Sequence, residues 1–446
     1  MGGKLLKRLN LMIASTVGTT LEWYDFFVFA TCAVLVFDKK FFPVDDPFVA
    51  TLLSLGTFSV GFLARPLGGV IFGIAGDRFG RKNMLVISLL MMGLGTFLIG
   101  LLPTYETIGI MAPVLLIVLR ILQGIAVGGE ASGAILIIAE SMPANRRVFW
   151  TSFTMFAGPL ANVLTALVIA AIQGIYGNEA FVEWAWRIPF FISVLLIAVG
   201  FWTRRRVEES PAFIEISRRQ EKVEHAPLAE AFRNNLPEMF RAFFVKASEN
   251  TYLYLFSTFV LLLATTHLGF PRQAVLKSLL WASALEIVVV LVAAYVSDLI
   301  GRRPVLFVGF AASVLTSYGL FTLSPGASQA HLQIAITLCL ASHGIILGAM
   351  AAFMAELFPT RVRYTALSSS YQLASVAGGS IAPLVGTILL HETGTPVSVA
   401  IYAMLVSIPA LISVGLAKET VGAGIIGENS APEAEGNATP LPSRAG

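Results

Sequence analysis

The chain has 446 residues, 56% of them hydrophobic and only 13% charged, with a mean hydropathy of +0.79, whereas a water-soluble globular chain carries about 25% charged residues. A soluble protein of this length needs a polar surface, so the deficit puts hydrocarbon against the outside of the fold and excludes a cytosolic enzyme. A formal net charge of +3, with no Lys/Arg-rich run of the nucleic-acid type, gives no basis for a nucleic-acid partner.

A bilayer core takes about 20 apolar residues per helix, and the chain divides accordingly. Met1 to Asn10 is basic, and the apolar run behind it shows no cleavage site, so a cleavable signal peptide is not expected. Six apolar runs follow, at roughly 11–37, 49–75, 84–102, 112–142, 149–174 and 186–203. The polar stretch 204–241, with RRRVEES and SRRQEKVEH, reads as a central linker. Six further runs cover roughly 242–268, 274–297, 304–323, 330–357, 365–391 and 397–417. The tail 418–446 is rich in Pro, Gly and Ala and reads as disordered. The predicted organisation is an all-α membrane protein of twelve transmembrane helices: a first bundle over 1–203, a second over 242–417, and the linker and tail. Cys32 and Cys339 lie in apolar runs, which implies packing and neither a disulfide framework nor a metal site.

Basic residues resist translocation and so set orientation. Most of the 30 lie before the first run, in Arg78 to Lys82, at Arg146 and Arg147, in the linker, at Arg302 and Arg303, at Arg361 and Arg363, and in the tail. The opposite side holds only Lys39, Lys40, Arg272 and Lys277. Both termini and the linker are therefore expected in the cytoplasm.

The two halves repeat. GDRFGRK at Gly76 to Lys82 returns as SDLIGRR at Ser297 to Arg303, sharing D-x-x-G-R-[KR]. Glu140, Pro143 and Arg147 after the fourth run return as Glu356, Pro359 and Arg363 after the tenth, and Glu209-Ser210 rhymes with Glu419-Thr420. A Gly before Arg-Lys permits a tight turn. An acid at one helix end and an arginine at the next can pair between bundles, so Asp77, Arg78, Gly80, Arg81, Lys82, Glu140, Arg147, Asp298, Gly301, Arg302, Arg303, Glu356 and Arg363 are candidate latch residues. The alternative is that they only anchor helix ends and enforce topology.

With these motifs the chain resembles the major facilitator superfamily. GTTLEWYDFFVF (Gly18 to Phe29), FLARPLGG (Phe62 to Gly69), RILQGIAVGGE (Arg120 to Glu130), WRIPFF (Trp186 to Phe191) and EESPAF (Glu208 to Phe213) are similar to the bacterial metabolite:proton symporters. That group includes permeases for shikimate, α-ketoglutarate, citrate and proline/betaine. The resemblance covers about residues 11–417. It implies two six-helix bundles with alternating access, symport driven by the proton gradient without any other cofactor, and action as a monomer in the bacterial inner membrane.

Charges inside the membrane are costly and point to function. Glu22, Asp25, Arg65, Arg120 and Glu130 fall within runs of the first half, and Lys246, Glu249 and Glu286 within runs of the second. Glu22 and Asp25 share a helix face with Phe26. Arg65 lies in a stripe with Gly61, Gly69 and Gly73, and Arg120 in another with Gly124 and Gly128, so close helix neighbours are expected there. Counted along the runs, Arg65 lies toward the cytoplasm and Arg120 toward the opposite face. Arginine suits bidentate carboxylate binding, and carboxyl groups in a low-dielectric site can exchange protons near neutral pH. Arg65, Arg120, Tyr24, Gln123, Glu249, Asn250 and Tyr252 are thus candidate substrate contacts, and Asp25, Glu22 and Glu130 candidate proton carriers. Tyr254 belongs with Glu249, Asn250 and Tyr252 as a polar and aromatic residue suited to lining a site, Tyr371 and Gln372 are weaker contacts of the same kind, and His343 is either a proton relay or a packing histidine. The expected function is proton-coupled import of a small carboxylate-bearing metabolite. A betaine/proline symporter or an uncoupled facilitator of the same fold are the alternatives.

Overall fold

The computed structural model describes residues 2–69, 71–72, 81–128, 135–136, 138–139, 142, 144–205, 228–359 and 362–419. Twelve helical stretches run through them. Helix α1 is Gly2–Cys32, carried on by a π-turn at Ala33–Phe37 and by Asp38–Lys40. Then come α2 (Pro47–Gly69), α3 (Arg81–Leu101), α4 (Met111–Gly128), α5 (Arg147–Ala185) and α6 (Arg187–Arg205). The second half has α7 (Leu228–Tyr254, continued by π-turns at Leu255–Phe259 and Leu263–His267), α8 (Arg272–Ile300), α9 (Arg302–Phe321), α10 (Gln329–Glu356), α11 (Thr365–Thr393) and α12 (Val397–Leu416). Each predicted apolar run has its helix. Helix α7 begins within the stretch read as linker, and a break at Asn235 (φ −126°, ψ 20°) just before Pro237 separates its first turns from the span.

The helices pack as two six-helix bundles with one shared plan. In the first, α1 lies against α5 and α6, α3 against α4 and α6, and α2 against α4. In the second, α7 lies against α11 and α12, α9 against α10 and α12, and α8 against α10. The internal repeat of the sequence is thus a repeat of packing. The bundles meet where α2 faces α11 and where α5 faces α8 and α10. Outward faces carry bare aliphatic side chains such as Leu195, Leu315, Val292 and Leu405, each more than half exposed, as a helix seated in lipid requires.

Glycine sets the approach of α2 to α4. A Cβ at Gly124 would fall on the Gly61 carbonyl, and one at Gly128 on the Arg65 carbonyl. The stripes read from spacing are therefore the contact line of these two helices, and they fix where both arginines start.

Candidate functional site

Arg65 of α2 and Arg120 of α4 converge on one aromatic wall. The Arg65 guanidinium lies 4.3 Å from the Phe26 ring centroid and 4.0 Å from that of Phe62. Arg120 lies 4.0 Å from Phe29 and 4.9 Å from the same Phe26. The position of each arginine along its run put them at different depths, yet the long side chains bring both cations to Phe26. Arg120 crosses over Gly61, where a Cβ would stand 2.7 Å from its Nη2. Both are almost fully buried. Ring faces supply part of the solvation that water would give a cation, but among the described residues Arg65 Nε and Arg120 Nε and Nη2 donate no hydrogen bond. Buried N–H groups of a planar guanidinium, left without an acceptor, suit a carboxylate.

A polar chain leads from this pair to the acid on α1. Arg120 Nη1 donates to Gln123 Oε1 at 2.7 Å, Gln123 Nε2 donates to Thr96 Oγ1 at 2.6 Å, and Thr96 Oγ1 donates to Asp25 Oδ2 at 2.8 Å. The Arg120 guanidinium and the buried Asp25 carboxyl are thus joined across α4, α3 and α1 without a gap. Glu22, one turn before Asp25, is buried and within electrostatic range of Asp25 and Arg65. From the second bundle, Tyr254 brings its ring edge to Phe58 and Phe62, at 5.3 and 5.5 Å between centroids, and its buried hydroxyl is unpaired among the described residues. Gly379 of α11 makes room for this contact, since a Cβ there would stand 2.9 Å from Phe62.

The remaining predicted contacts are placed elsewhere. Tyr24 donates to the Pro189 carbonyl on α6, inside the first bundle. Tyr252 turns to α12, where it meets the Ala403 carbonyl and Ser407. Asn250 donates to Ser375 on α11 at 3.2 Å. Glu249 pairs with Lys246 one turn back, at 2.6 Å. Thr96 was not singled out by the sequence: a lone hydroxyl in an apolar run carries no signal of its own. Glu130 lies outside the described residues.

The bundle interface is bridged at both ends. At the end that carries the repeated loops, Arg302 makes a two-pronged contact with Glu356, Nε to Oε2 and Nη2 to Oε1 each at 3.0 Å, and Arg147 of α5 reaches the same carboxylate at 3.5 Å. Asp298 accepts from the Val148 and Phe149 amides at the start of α5, at 3.2 and 2.9 Å. Arg303 donates to the Val414 and Gly415 carbonyls, Arg363 to that of Phe358, and Glu419 accepts from the Arg302 and Arg303 amides. Gly301, at φ 114°, makes the turn between α8 and α9. Of the first-half counterparts, Asp77, Arg78, Gly80 and Glu140 lie outside the described residues. Arg81 and Lys82 open α3, their side chains likewise outside. At the far end Phe48 stacks on His391 at 3.7 Å between centroids, and Arg272 reaches the Leu35 carbonyl at 3.4 Å. Between the ends, Ser59 donates to the Ser380 carbonyl, Gln372 to that of Gly128, and Asn162 to Ser283. Among the described residues, contacts between the bundles thus lie on both sides of the arginine pair.

The chain matches the family described as "Sugar (and other) transporter" over residues 11–239 and 265–428. It is 37% identical over 420 residues to the inner membrane metabolite transport protein YhjE of Escherichia coli K12, covering 93% of this chain and 94% of that one. It is 35% identical over 395 residues to the shikimate transporter of the same strain (88% and 90% covered), and 32% identical over 438 residues to its proline/betaine transporter (96% and 86%). The fold is similar to that of the proton:xylose symporter XylE of the major facilitator superfamily bound to 6-bromo-6-deoxy-D-glucose, with a TM-score of 0.75, 17% identity, and 94% of this chain and 97% of that chain covered. The protein belongs to the sugar (and other) transporter family of the major facilitator superfamily, as a metabolite transporter and not an enzyme.

Proposed function

We propose that the protein is a proton-coupled symporter that imports a small carboxylate-bearing metabolite across the bacterial inner membrane as a monomer, with both termini in the cytoplasm. The observation that carries this is the buried Arg65–Arg120 pair, with guanidinium N–H groups that lack acceptors among the described residues and a continuous hydrogen-bonded link from Arg120 to Asp25. A substrate carboxylate seated on the arginines would compete with Asp25 for their positive field, so binding favours a protonated Asp25 and the two ligands load together. Glu22 adds to the negative side of the same balance, and Glu130 is a further proton carrier on the sequence reading. The Glu356, Arg147, Arg302 and Asp298 contacts then form the cytoplasmic latch of an alternating-access cycle, with Asp77, Arg78, Arg81, Lys82 and Glu140 as its counterpart in the first half.

Purified protein in proteoliposomes is tested by counterflow against shikimate, mono-, di- and tricarboxylates, proline and betaine. Uptake of an anion that collapses when an ionophore removes the pH gradient is expected. Arg65→Lys should lose binding, and Asp25→Asn should keep counterflow but lose gradient-driven accumulation. Failure of every anion to exchange, or normal coupled uptake in both variants, overturns the reading. The likeness to a proline/betaine transporter keeps a zwitterion as the second reading. Such a substrate also presents one carboxylate to the arginines, and preference for betaine over shikimate would decide for it.

A further inference from the structure

The second bundle holds an ionic cluster that the arginine site does not use. Lys246 and Glu249 sit one turn apart on α7, paired at 2.6 Å. His343 of α10 stands between two carboxylates: its Nε2 is 3.4 Å from Glu249 Oε1 and its Nδ1 is 2.5 Å from Glu286 Oε1 on α8. All four side chains are 2% exposed or less. The neighbours that could titrate or carry charge are Tyr371 on α11, whose ring lies 4.5 Å from Lys246 Nζ, and Tyr254 on α7, while Arg65 of α2 is within electrostatic range of both tyrosines. Helix α5 faces this region with Asn162, bonded to Ser283 of α8. The cluster therefore adjoins the arginine site through the Tyr254 and Tyr371 rings.

Charge arithmetic on this geometry is restrictive. With His343 as an imidazolium, two cations face two carboxylates and the cluster is neutral, with Nδ1–H bonded to Glu286 and Nε2 at ion-pair distance from Glu249. With a neutral ring and both carboxylates ionised, one nitrogen turns a lone pair toward a carboxylate oxygen and a net negative charge is left at membrane depth. Burying an uncompensated charge is disfavoured, so the neutral ring becomes accessible only when the surroundings change, as they do when bundles rock and water enters. Ion clusters of this kind within spans mark ion pathways and proton relays, and an all-apolar helix contact would pack α7, α8 and α10 at least as well.

We propose that Glu249, His343 and Glu286 form a second proton-binding site, in the second bundle, that takes one proton from solvent onto the imidazole and returns it in each cycle, an assignment that rests on the proton-coupled reading above. The step is balanced: one proton joins a ring nitrogen, the cluster goes from net negative to neutral, and release to the other side reverses it. Lys246 holds Glu249 in place and keeps the loaded cluster neutral.

The first test needs no substrate. Protein in nanodiscs, with His225, His267, His331 and His391 replaced by Asn so that His343 is the sole histidine, is labelled with 15N-histidine and followed by NMR from about pH 5 to pH 10. Conversion between imidazolium and neutral-ring signals is expected, displaced by about one pH unit or more in Glu286→Gln. A His343 that stays in one protonation state across the range, in both proteins, overturns the assignment. The second test uses shikimate as the probe: His343→Gln and Glu286→Gln should retain counterflow within about twofold while gradient-driven accumulation falls at least tenfold. Equal loss of both activities in the two variants marks a structural cluster and refutes a transport role. Absence of shikimate exchange in the unmodified protein refutes that substrate, not the proton site, which the first test decides.

Discussion

Glu356 offers the sharpest test of the latch. It receives Arg302 from its own bundle through two contacts of 3.0 Å and Arg147 from the other bundle through one of 3.5 Å. Of these two, the Arg147 contact crosses between the bundles and breaks when they separate at this end. A hydrogen bond between charged groups contributes about 1.5–3 kcal/mol, and the length of the Arg147 contact puts it at the lower value, about a tenfold change in the ratio of latched to unlatched molecules. The Arg302 contact lies within one bundle and persists in both arrangements, so losing it lowers overall stability without favouring either. Glu356→Gln is therefore expected to shift the latched population about tenfold and to lower thermal stability, whereas Arg147→Gln should produce a comparable shift with a smaller loss of stability. Spin labels at Asn145 and Leu416, beside the start of α5 and at the end of α12, report the separation by pulsed dipolar spectroscopy. Unchanged distance distributions in both variants, with stability lost in Glu356→Gln, would show that the carboxylate only anchors helix ends.

Three further predictions follow from particular contacts. Thr96→Val removes the hydroxyl that donates to Asp25 and accepts from Gln123; a loss of about 1.5–3 kcal/mol should reduce gradient-driven accumulation roughly 10- to 100-fold, with Thr96→Ser near normal, and equal behaviour of the two variants would remove Thr96 from the pathway. Gly128→Val drives a side chain into the Arg65 carbonyl and should cost at least about 1–3 kcal/mol, seen as loss of the monodisperse peak in size-exclusion chromatography, while Gly158→Ala, whose nearest neighbour is Trp23 at 4.0 Å, should behave as the parent. Glu419→Gln weakens the acceptor for the first amides of α9; a cap of this kind is worth about 1 kcal/mol, so hydrogen exchange at Arg302 and Arg303 should accelerate about fivefold.

The fold was legible because its determinants are linear. Apolar runs long enough to cross a bilayer, separated by charge, yield helix number and order, and the glycine stripes at Gly61, Gly124 and Gly128 mark where helices touch. The rare charges pointed to Arg65, Arg120 and Asp25, along with Glu22 and Glu130, for the same reason: few groups in those runs are so costly to bury. What joins them was not legible. Thr96 is an uncharged hydroxyl on a helix that carries no other sign of the site, and its meeting with Gln123 and Asp25 depends on the relative rotation of three helices. Tyr252 and Tyr254 looked equivalent on paper, but one turns to α12 and the other to Phe58 and Phe62. Beyond Tyr254 the π-turns of α7 shift the phase of every later residue, so a constant angle per residue misassigns faces there. Lys246 and Glu249 could be paired from their spacing of three, whereas their link to His343 and Glu286 is long-range and belongs to the packing.

A symporter makes half of each cycle empty, and that return leg sets turnover whenever loading is fast. Bare guanidinium groups would make the journey slow, because an unshielded cation stabilises whichever arrangement lets water reach it. On the proposed symport reading, the phenyl faces of Phe26, Phe29 and Phe62 against Arg65 and Arg120 would give the unloaded site a resident partner: weaker than a carboxylate, so it yields to cargo, yet sufficient for the carrier to reset without it. Thinning that aromatic wall should leave affinity for cargo largely intact and slow the reset, so that net uptake falls while exchange of internal for external substrate persists.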